Sequence, residues 1–499
     1  MKIKRSTFDL SHRRKFSCDM GYLNPCYVEE VLPGDSFKVQ SDMLVRLTPL
    51  MAPIMHEVDV FTHFWFVPNR LIWKEWEVFI TGGADGKSAP VVPYIDNFLS
   101  KDKQDFCIGS LSDYLGLPPI KDFSTGLKFS ALYHRAYALI WNEWYRDQNL
   151  QEPVALSLES GQDIITNRAL LRRNWKKDYF TSALPWPQRG PNVSISLQGT
   201  APVKTEVFFD NDHTETRYLG YESGETYDRL VKWWGDGRRN GLISATTRGL
   251  ADLSNISSMT INDLRQLTAV SRFMEINARG GSRYIEAIKA HFNVNSSDAR
   301  LQRPEYLGGG VSPIVISEVL QTSSTDNTSP QGNMSGHGYS LQRSHSFKRY
   351  FEEHGIIIGL LSIMPKAAYQ QGIDRKFTRE SKFDYFWPEL ANLGEQIVQN
   401  KEIYYESSDP EGGFGYQPRY QEYRHRFDTV HGDFKGNLDF WHMGRKFENE
   451  PKLNSEFISC SPTKRISVIP SQQNVYIDML HKVSARRSIP KYGIPSGLL

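Results

Sequence analysis

A mainly-β sandwich carrying long loop and helix insertions is the architecture this 499-residue sequence predicts, and three stretches predict it. From Phe37 the chain alternates almost strictly. Phe37, Val39, Met43, Val45 and Leu47 take one side, and Lys38, Gln40, Asp42, Arg46 and Thr48 the other. A period of two sends one set to a core and the other to solvent, as in a half-buried strand. Residues 54–67 open the same way, with Val58 and Val60 interleaved by Glu57 and Asp59, then turn apolar on both faces through Phe61, Phe64, Trp65, Phe66 and Val67. Such a strand needs cover on both sides. Residues 355–364 (GIIIGLLSIM) are continuously apolar. That run is too short for a membrane span of roughly 20 residues and suits a doubly buried strand. With a shorter strand over 26–32 and a turn at Pro33-Gly34-Asp35, the pattern is that of a β-sandwich or jelly roll.

The remaining elements follow in chain order. Apolar residues at 72, 73, 76, 79 and 80, with Pro68 just before, predict a helix over 70–80. The loop from Thr81 to Ser88 is a near miss to a phosphate-binding P-loop, because Thr81 stands where the first glycine is needed and a helix precedes it. Residues 90–125 are irregular. The spacing over 127–149 predicts an amphipathic helix of about six turns. Its stripe of Phe129, Tyr133, Tyr137, Trp141 and Trp144 reads as core or subunit packing. Residues 176–202 carry Pro, Gly and short β-like pieces, and 203–255 form a polar, Gly-rich excursion expected to be exposed. Within it, Trp233 and Trp234 stand near Arg238 and Arg239, a combination able to stack on bases, although such a pair more often anchors a loop. A helix starts at 260–263 and carries Leu264, Leu267, Val270, Phe273 and Met274 on one side; Gly280-Gly281 interrupts it and 284–292 resumes the spacing. Residues 314–320 read as a strand, and 321–347, rich in Ser, Thr, Asn and Gly, as a long loop. Residues 403–405, 438–441 and 466–469 read as further aromatic β and loop. No repeat or clean linker divides the chain, so 1–499 is read as one domain with insertions.

Composition bounds function. The 24 Tyr, 27 Phe and 11 Trp suit broad contact surfaces. Net charge is only +2, but Lys2, Lys4, Arg5, Arg13, Arg14 and Lys15 crowd the first fifteen residues against one acid, Asp9. This basic arm, residues 1–20, is expected to face nucleic acid by charge, without sequence preference; a solvated flexible terminus is the other reading. Beyond Asp478 the chain is again basic, with Lys482, Arg486, Arg487 and Lys491. Cys18, Cys26, Cys107 and Cys460 show no close pairing, which speaks against a disulfide framework or zinc site and for assembly in a reducing cytosol. The basic first residues lack the apolar stretch of a signal peptide. No Gly-x-Ser-x-Gly, His-Glu-x-x-His or Cys-His pair at ligand spacing occurs, so no catalytic, metal or cofactor residue is assigned. Two well-placed carboxylates suffice for a glycosidase, which keeps a carbohydrate-binding or carbohydrate-active β-sandwich protein as the alternative.

Longer phrases narrow the reading: residues 8–12 (FDLSH), 30–35 (EVLPGD), 62–70 (THFWFVPNR), 141–150 (WNEWYRDQNL), 178–186 (DYFTSALPW), 278–284 (ARGGSRY), 298–309 (DARLQRPEYLGG) and 414–417 (FGYQ). In this order they resemble the major capsid proteins of the Microviridae, the small circular single-stranded DNA phages, nearest the gokushovirus-like branch. The resemblance spans nearly the whole chain. It implies an eight-stranded antiparallel jelly roll of the viral capsid type and a non-enzymatic subunit that assembles in sixty copies into a T=1 icosahedral shell. It also implies packaged single-stranded DNA and other phage structural proteins as partners, with a host surface receptor further out, and no membrane insertion. The virion is the expected location, after assembly in the bacterial host cytoplasm. The excursion over 203–255 resembles the region that projects near the three-fold axis in this family, and is shorter here than in many relatives.

Overall fold

The computed structural model describes residues 5–84, 87–96, 103–120, 127–190, 203–206, 248–251, 261–280, 286, 289–291, 293, 302–320 and 334–491. They fall into two units, Met1–Pro187 with Ile276–Leu499, and Gln188–Glu275.

Alternation in the sequence becomes alternation in burial. The first unit is organised by ten strands: β1 (Ser6–Asp9), β2 (His12–Cys18), β3 (Asn24–Val31), β4 (Ser36–Leu47), β5 (Val58–Pro68), β6 (Glu305–Pro313), β7 (Val315–Leu320), β8 (Met334–Tyr350), β9 (Gly355–Pro365) and β10 (Val475–Arg487). One sheet runs β1–β10–β4–β8–β7 with β2 also on β10, and the other runs β6–β5–β9–β3. All these pairings are antiparallel. The chain passes from sheet to sheet at β2→β3, β3→β4, β4→β5, β6→β7, β8→β9 and β9→β10, so that β2, β10, β4 and β8 face β3, β9, β5 and β6. That is jelly-roll wiring. The sheets hold ten strands among the described residues rather than the expected eight, because β1 and β7 extend the two edges of the first sheet.

The core lies where the inner faces meet. Phe37, Val39, Met43 and Val45 of β4 and Val475, Ile477 and Met479 of β10 pack against Phe64 and Phe66 of β5 and Ile357 and Leu361 of β9. Each such side chain, fully buried, is worth roughly 1.5–3 kcal/mol. All eleven residues of β9 are buried. Its outer face, Ile356, Ile358 and Leu360, lies with Trp65 and Val67 under helix α1 (Leu132–Ile140) through Leu132, Ala136, Tyr137 and Ile140. This helical layer explains why β5 and β9 are apolar on both sides.

The inserted elements depart from expectation in informative ways. The helix expected over 70–80 is two short ones, Asn69–Ile72 and Trp76–Thr81, because Trp73 takes an extended backbone. The six-turn helix over 127–149 is shorter: Lys128–Ser130 pairs as a strand with Tyr94–Asp96, and Phe129 packs there instead of on a helix face. After α1 the chain makes a π-helical turn, Trp141–Tyr145, and leaves the helix at Arg146. The loop expected over 321–347 is overturned for its second half, where β8 runs 17 residues. Its strand character is hidden by small inward residues. A side chain at Gly338 would strike Leu47 Cδ1 at 2.6 Å, so glycine is the fit for the site rather than a loop signal. Residues 321–333 lie outside the described residues. Near 403–405 and 438–441 the backbone forms 3₁₀ turns, Asn400–Glu402 and Asp439–Trp441, while the local β-structure is a pair, Glu395–Gln399 with Gly413–Pro418.

In the second unit, Val203–Glu206 pairs with Arg248–Ala251. The helix expected from 260 runs Ile261–Gly280, and its Leu264, Val270 and Phe273 are exposed.

Candidate assembly surface

A chain that builds a shell needs apolar surface that its own fold leaves uncovered and holds in shape. Residues 377–393 supply such a surface. Phe377 (75 % exposed), Phe383 (52 %), Tyr385 (54 %) and Trp387 (47 %) stand out with Phe386 and Leu393. The sequence fixes their backbone locally. Ser381 and Asp384 form a capping box: the Ser381 amide donates to Asp384 Oδ2 at 2.7 Å and the Phe383 amide to Ser381 Oγ at 3.2 Å. Pro388 opens a second 3₁₀ turn, Pro388–Leu390. The Trp387 indole N–H donates to the Lys382 carbonyl at 2.8 Å. From below, the Tyr420 hydroxyl donates to the Tyr385 carbonyl at 3.0 Å and Arg419 Nη2 to the Phe383 carbonyl at 3.0 Å. Tyr420 itself adopts φ 63°, a left-handed conformation that costs a non-glycine residue and is held by its surroundings. Contiguous exposed rings on a fixed backbone are a contact surface, and the fixing lowers the ordering cost of association.

The basic arm divides. Lys2 and Lys4 lie outside the described residues. Residues 6–18 are strands on the edge of the first sheet, and Leu10 and Ser11 carry the chain from one to the next, with the Leu10 amide on the Val483 carbonyl at 2.9 Å. Arg13 and Lys15 are exposed on one face of β2, with Arg13 Nη1 3.0 Å from Asp478. Arg14 points the other way and donates to the Tyr114 carbonyl at 2.7 Å. Arg5 is exposed beside the Tyr350 ring. Trp233, Trp234, Arg238 and Arg239 lie outside the described residues.

Two clusters gather chemistry-bearing side chains in the first unit. Around Glu402, Tyr179 Oη donates to Oε2 at 2.9 Å and Arg375 Nη1 and the Gln399 amide to Oε1 at 3.1 and 2.9 Å. Burial pushes this carboxyl up despite Arg375. The adjoining cavity of about 10 Å³ has room for one water and no substrate. The second is an open cleft of about 350 Å³ lined by His63, Trp65, Trp144, Tyr145, Arg173 and Tyr306. Tyr145 Oη joins His63 Nδ1 (2.7 Å) and Trp65 Nε1 (3.2 Å), and burial, with the Arg173 charge, pulls His63 down to about 4. Sequence reasoning missed this cleft, because its residues come from four separated segments. All four cysteines are free thiols. Among the described residues no helix is long and apolar enough to cross a membrane, and no group of three or more His, Cys, Asp or Glu is placed to hold a metal.

Comparison with known proteins decides the family. The family model described as "Capsid protein (F protein)" matches residues 1–497. The chain belongs to this family. It is 37% identical to the capsid protein VP1 of Chlamydia phage 1 over 99% of this chain and 96% of the relative. It is 34% identical to the capsid protein VP1 of Bdellovibrio phage phiMH2K and 32% to that of Spiroplasma virus 4, each over 99% of this chain and 95% of the relative. A capsid protein of this family is a structural component of the virion, and the mainly antiparallel sandwich with a fixed, uncovered aromatic surface is in keeping with self-assembly.

Proposed function

We propose that this chain is a non-enzymatic major capsid subunit that assembles in sixty copies into a T=1 icosahedral shell around a circular single-stranded DNA genome, in the cytoplasm of a bacterial host. The observation that carries the self-assembly is the aromatic surface over 377–393, held rigid from within the subunit and covered by nothing among the described residues. Stable interfaces between proteins bury about 1,200–2,000 Å² with aromatic residues at their centre, and a second copy is the partner such a surface fits in a shell. The sixty-copy number and the T=1 lattice rest on the family resemblance. Arg5, Arg13 and Lys15, with Lys2 and Lys4, are the residues proposed to lie toward the DNA, where their charge would act without regard to sequence; Arg14, turned inward onto the Tyr114 carbonyl, is not among them. Residues 203–255 are proposed as the outward excursion that meets a host surface receptor, with Trp233, Trp234, Arg238 and Arg239 in it. Electron microscopy and native mass of the purified full-length chain test the reading. Closed particles of sixty copies are expected. A monomer that persists across buffers, or polysaccharide turnover by the purified chain, would overturn it.

A further inference from the structure

Among the described residues Arg173 has no counter-ion. Its guanidinium lies over the Phe61 ring at 4.1 Å and 5.8 Å from that of Tyr145, and Nη1 donates to Ser362 Oγ at 2.9 Å. Among the described residues no carboxylate pairs with it, and the groups that act on its charge, Tyr145 and Cys460, are neutral. A cation taken largely out of water and left uncompensated is costly, so this one awaits an anion. It faces the 350 Å³ cleft, which lies within the roughly 300–1,000 Å³ of small-molecule sites.

Two backbone irregularities bring aromatic rings to the same cleft. The π-helical turn Trp141–Tyr145 places both Trp144 and Tyr145 there, and single π-turns of this kind recur at functional sites. A bulge between Tyr306 and Gly308 breaks the register of β6 on β5 beside Trp65, and a bulge re-aims a neighbouring side chain. Trp65 then stands 4.5 Å from Trp144 and 4.9 Å from Tyr306, ring to ring. Arg303 lies over Trp144 at 3.8 Å. Tyr306 remains 42 % exposed, at the mouth.

We propose that this cleft binds one nucleotide of single-stranded DNA, its base stacked on Tyr306 at the mouth and its phosphate against Arg173. The packaged genome is the source of that nucleotide, so the proposal rests on the capsid reading and deepens it. A neutral sugar would use the rings but leave Arg173 unpaired; inorganic phosphate would use Arg173 but leave the rings idle. Stacking is sequence-tolerant, as a packaged genome requires.

The test titrates the unassembled full-length chain with a thymidine pentanucleotide, inorganic phosphate and glucose, reading tryptophan fluorescence. The pentanucleotide is expected to quench, with binding at least tenfold weaker in Arg173→Gln and in Tyr306→Ala, and to weaken as salt rises. Tyr306→Ala changes an exposed side chain and keeps the test sound if Arg173→Gln fails to fold. Lys74→Gln, at an exposed lysine paired with Glu159 and outside the cleft lining, should leave pentanucleotide binding unchanged. In filled particles, ultraviolet crosslinking should attach DNA to the peptide holding Tyr306. Equal pentanucleotide binding by wild type and Tyr306→Ala, or a response to glucose or phosphate with none to the pentanucleotide, overturns the inference. Particles that assemble and package DNA with no crosslink at Tyr306 overturn it while leaving the capsid reading intact, whereas a chain that binds the pentanucleotide but never assembles overturns the capsid reading alone.

Discussion

Strand β9 and the segment over 377–393 are both rich in large apolar side chains, and they meet opposite fates. In β9 every residue is buried: neighbours β5 and β3 take its hydrogen bonds, β4 and β10 cover one face and α1 the other. In the segment, residues 380–389 are exposed without a break, although a capping box, carbonyl contacts and the Tyr420 hydroxyl hold them still. Apolar content is therefore a poor guide to where a residue ends up. What differs is whether one chain contains the second surface. β9 is satisfied by its own molecule, and the segment is left without cover among the described residues. Removing a contact in the first region should cost the fold, and removing one in the second should cost the assembly.

The largest effect on the fold is expected where the helical insertion is tied to itself by a buried ion pair. Arg135 Nε donates to Asp163 at 2.7 Å, and its Nη1 and Nη2 to the carbonyls of Ile72 (3.0 Å) and Glu159 (2.8 Å). Both side chains are out of water. Burial pushes the Asp163 carboxyl up, but hydrogen bonds from Thr166 and Arg135 outweigh it and hold Asp163 below the usual carboxylate range. Arg135→Ala strands that carboxylate and the Ile72 and Glu159 carbonyls, for a loss of about 3–5 kcal/mol. Urea unfolding of the unassembled subunit measures it, and a change under about 1 kcal/mol would mean that the insertion is not held by this pair.

A smaller, graded effect is expected from acid. His481 lies in the core between the sheets, where its Nε2 donates to the Cys26 carbonyl (2.9 Å) and Nδ1 accepts from Ser41 Oγ (2.8 Å). Burial, with the charges of His12 and Arg14, pulls it down to about 3, against the hydrogen bond to Cys26. His134, bonded through Nε2 to Ser112 (3.0 Å), is pulled down to about 4 by burial and by Arg168, against the opposing charge of Asp163. Both stay neutral in the folded chain and take up a proton on unfolding once the pH falls below 6.5. The unfolded state then holds more protons, so stability present above pH 6.5 is lost as pH falls toward 4 and 3, by up to about 1.4 kcal/mol per pH unit for each histidine. Urea midpoints between pH 7.5 and 5 should fall accordingly, with a shallower slope in His481→Gln. A slope unchanged by that substitution would put the acid sensitivity elsewhere.

The same contrast explains what the sequence makes legible. β4 and β9 declare themselves because their side chains carry the period and the apolar run that burial demands. β8 does not, because Gly338 and Ser340 face inward where Leu47 and the Pro313 carbonyl leave room for little else. β10 alternates Val475, Ile477, Met479, Val483 and Ala485 inward, but the buried His481 interrupts the apolar series. The exposed rings at 383–387 are no different in composition from core rings; only the three-dimensional neighbours tell them apart. The cleft at Arg173 joins residues more than two hundred positions apart, which no local pattern brings together.

The smallest effect on the fold and the largest on the particle are expected from the double variant Phe383→Ser, Trp387→Ser. Neither side chain is buried in the subunit, so unfolding free energy should stay within about ±0.5 kcal/mol of wild type, as for surface substitutions. The Trp387 indole bond to the Lys382 carbonyl is lost, but Ser381, Asp384 and Tyr420 still hold the backbone beneath, and none of them changes. Assembly has no such reserve. Buried aromatic anchors at an interface cost roughly 2 kcal/mol or more each when truncated, and in a closed shell the same loss recurs at every copy of the contact. The variant should therefore purify as a folded subunit with unaltered circular dichroism and yield no particles by electron microscopy at concentrations where wild type assembles. Particles in normal yield would locate the contacts of the shell on another face. A subunit that unfolds would show that these rings belong to the core after all, and would erase the distinction between β9 and the segment.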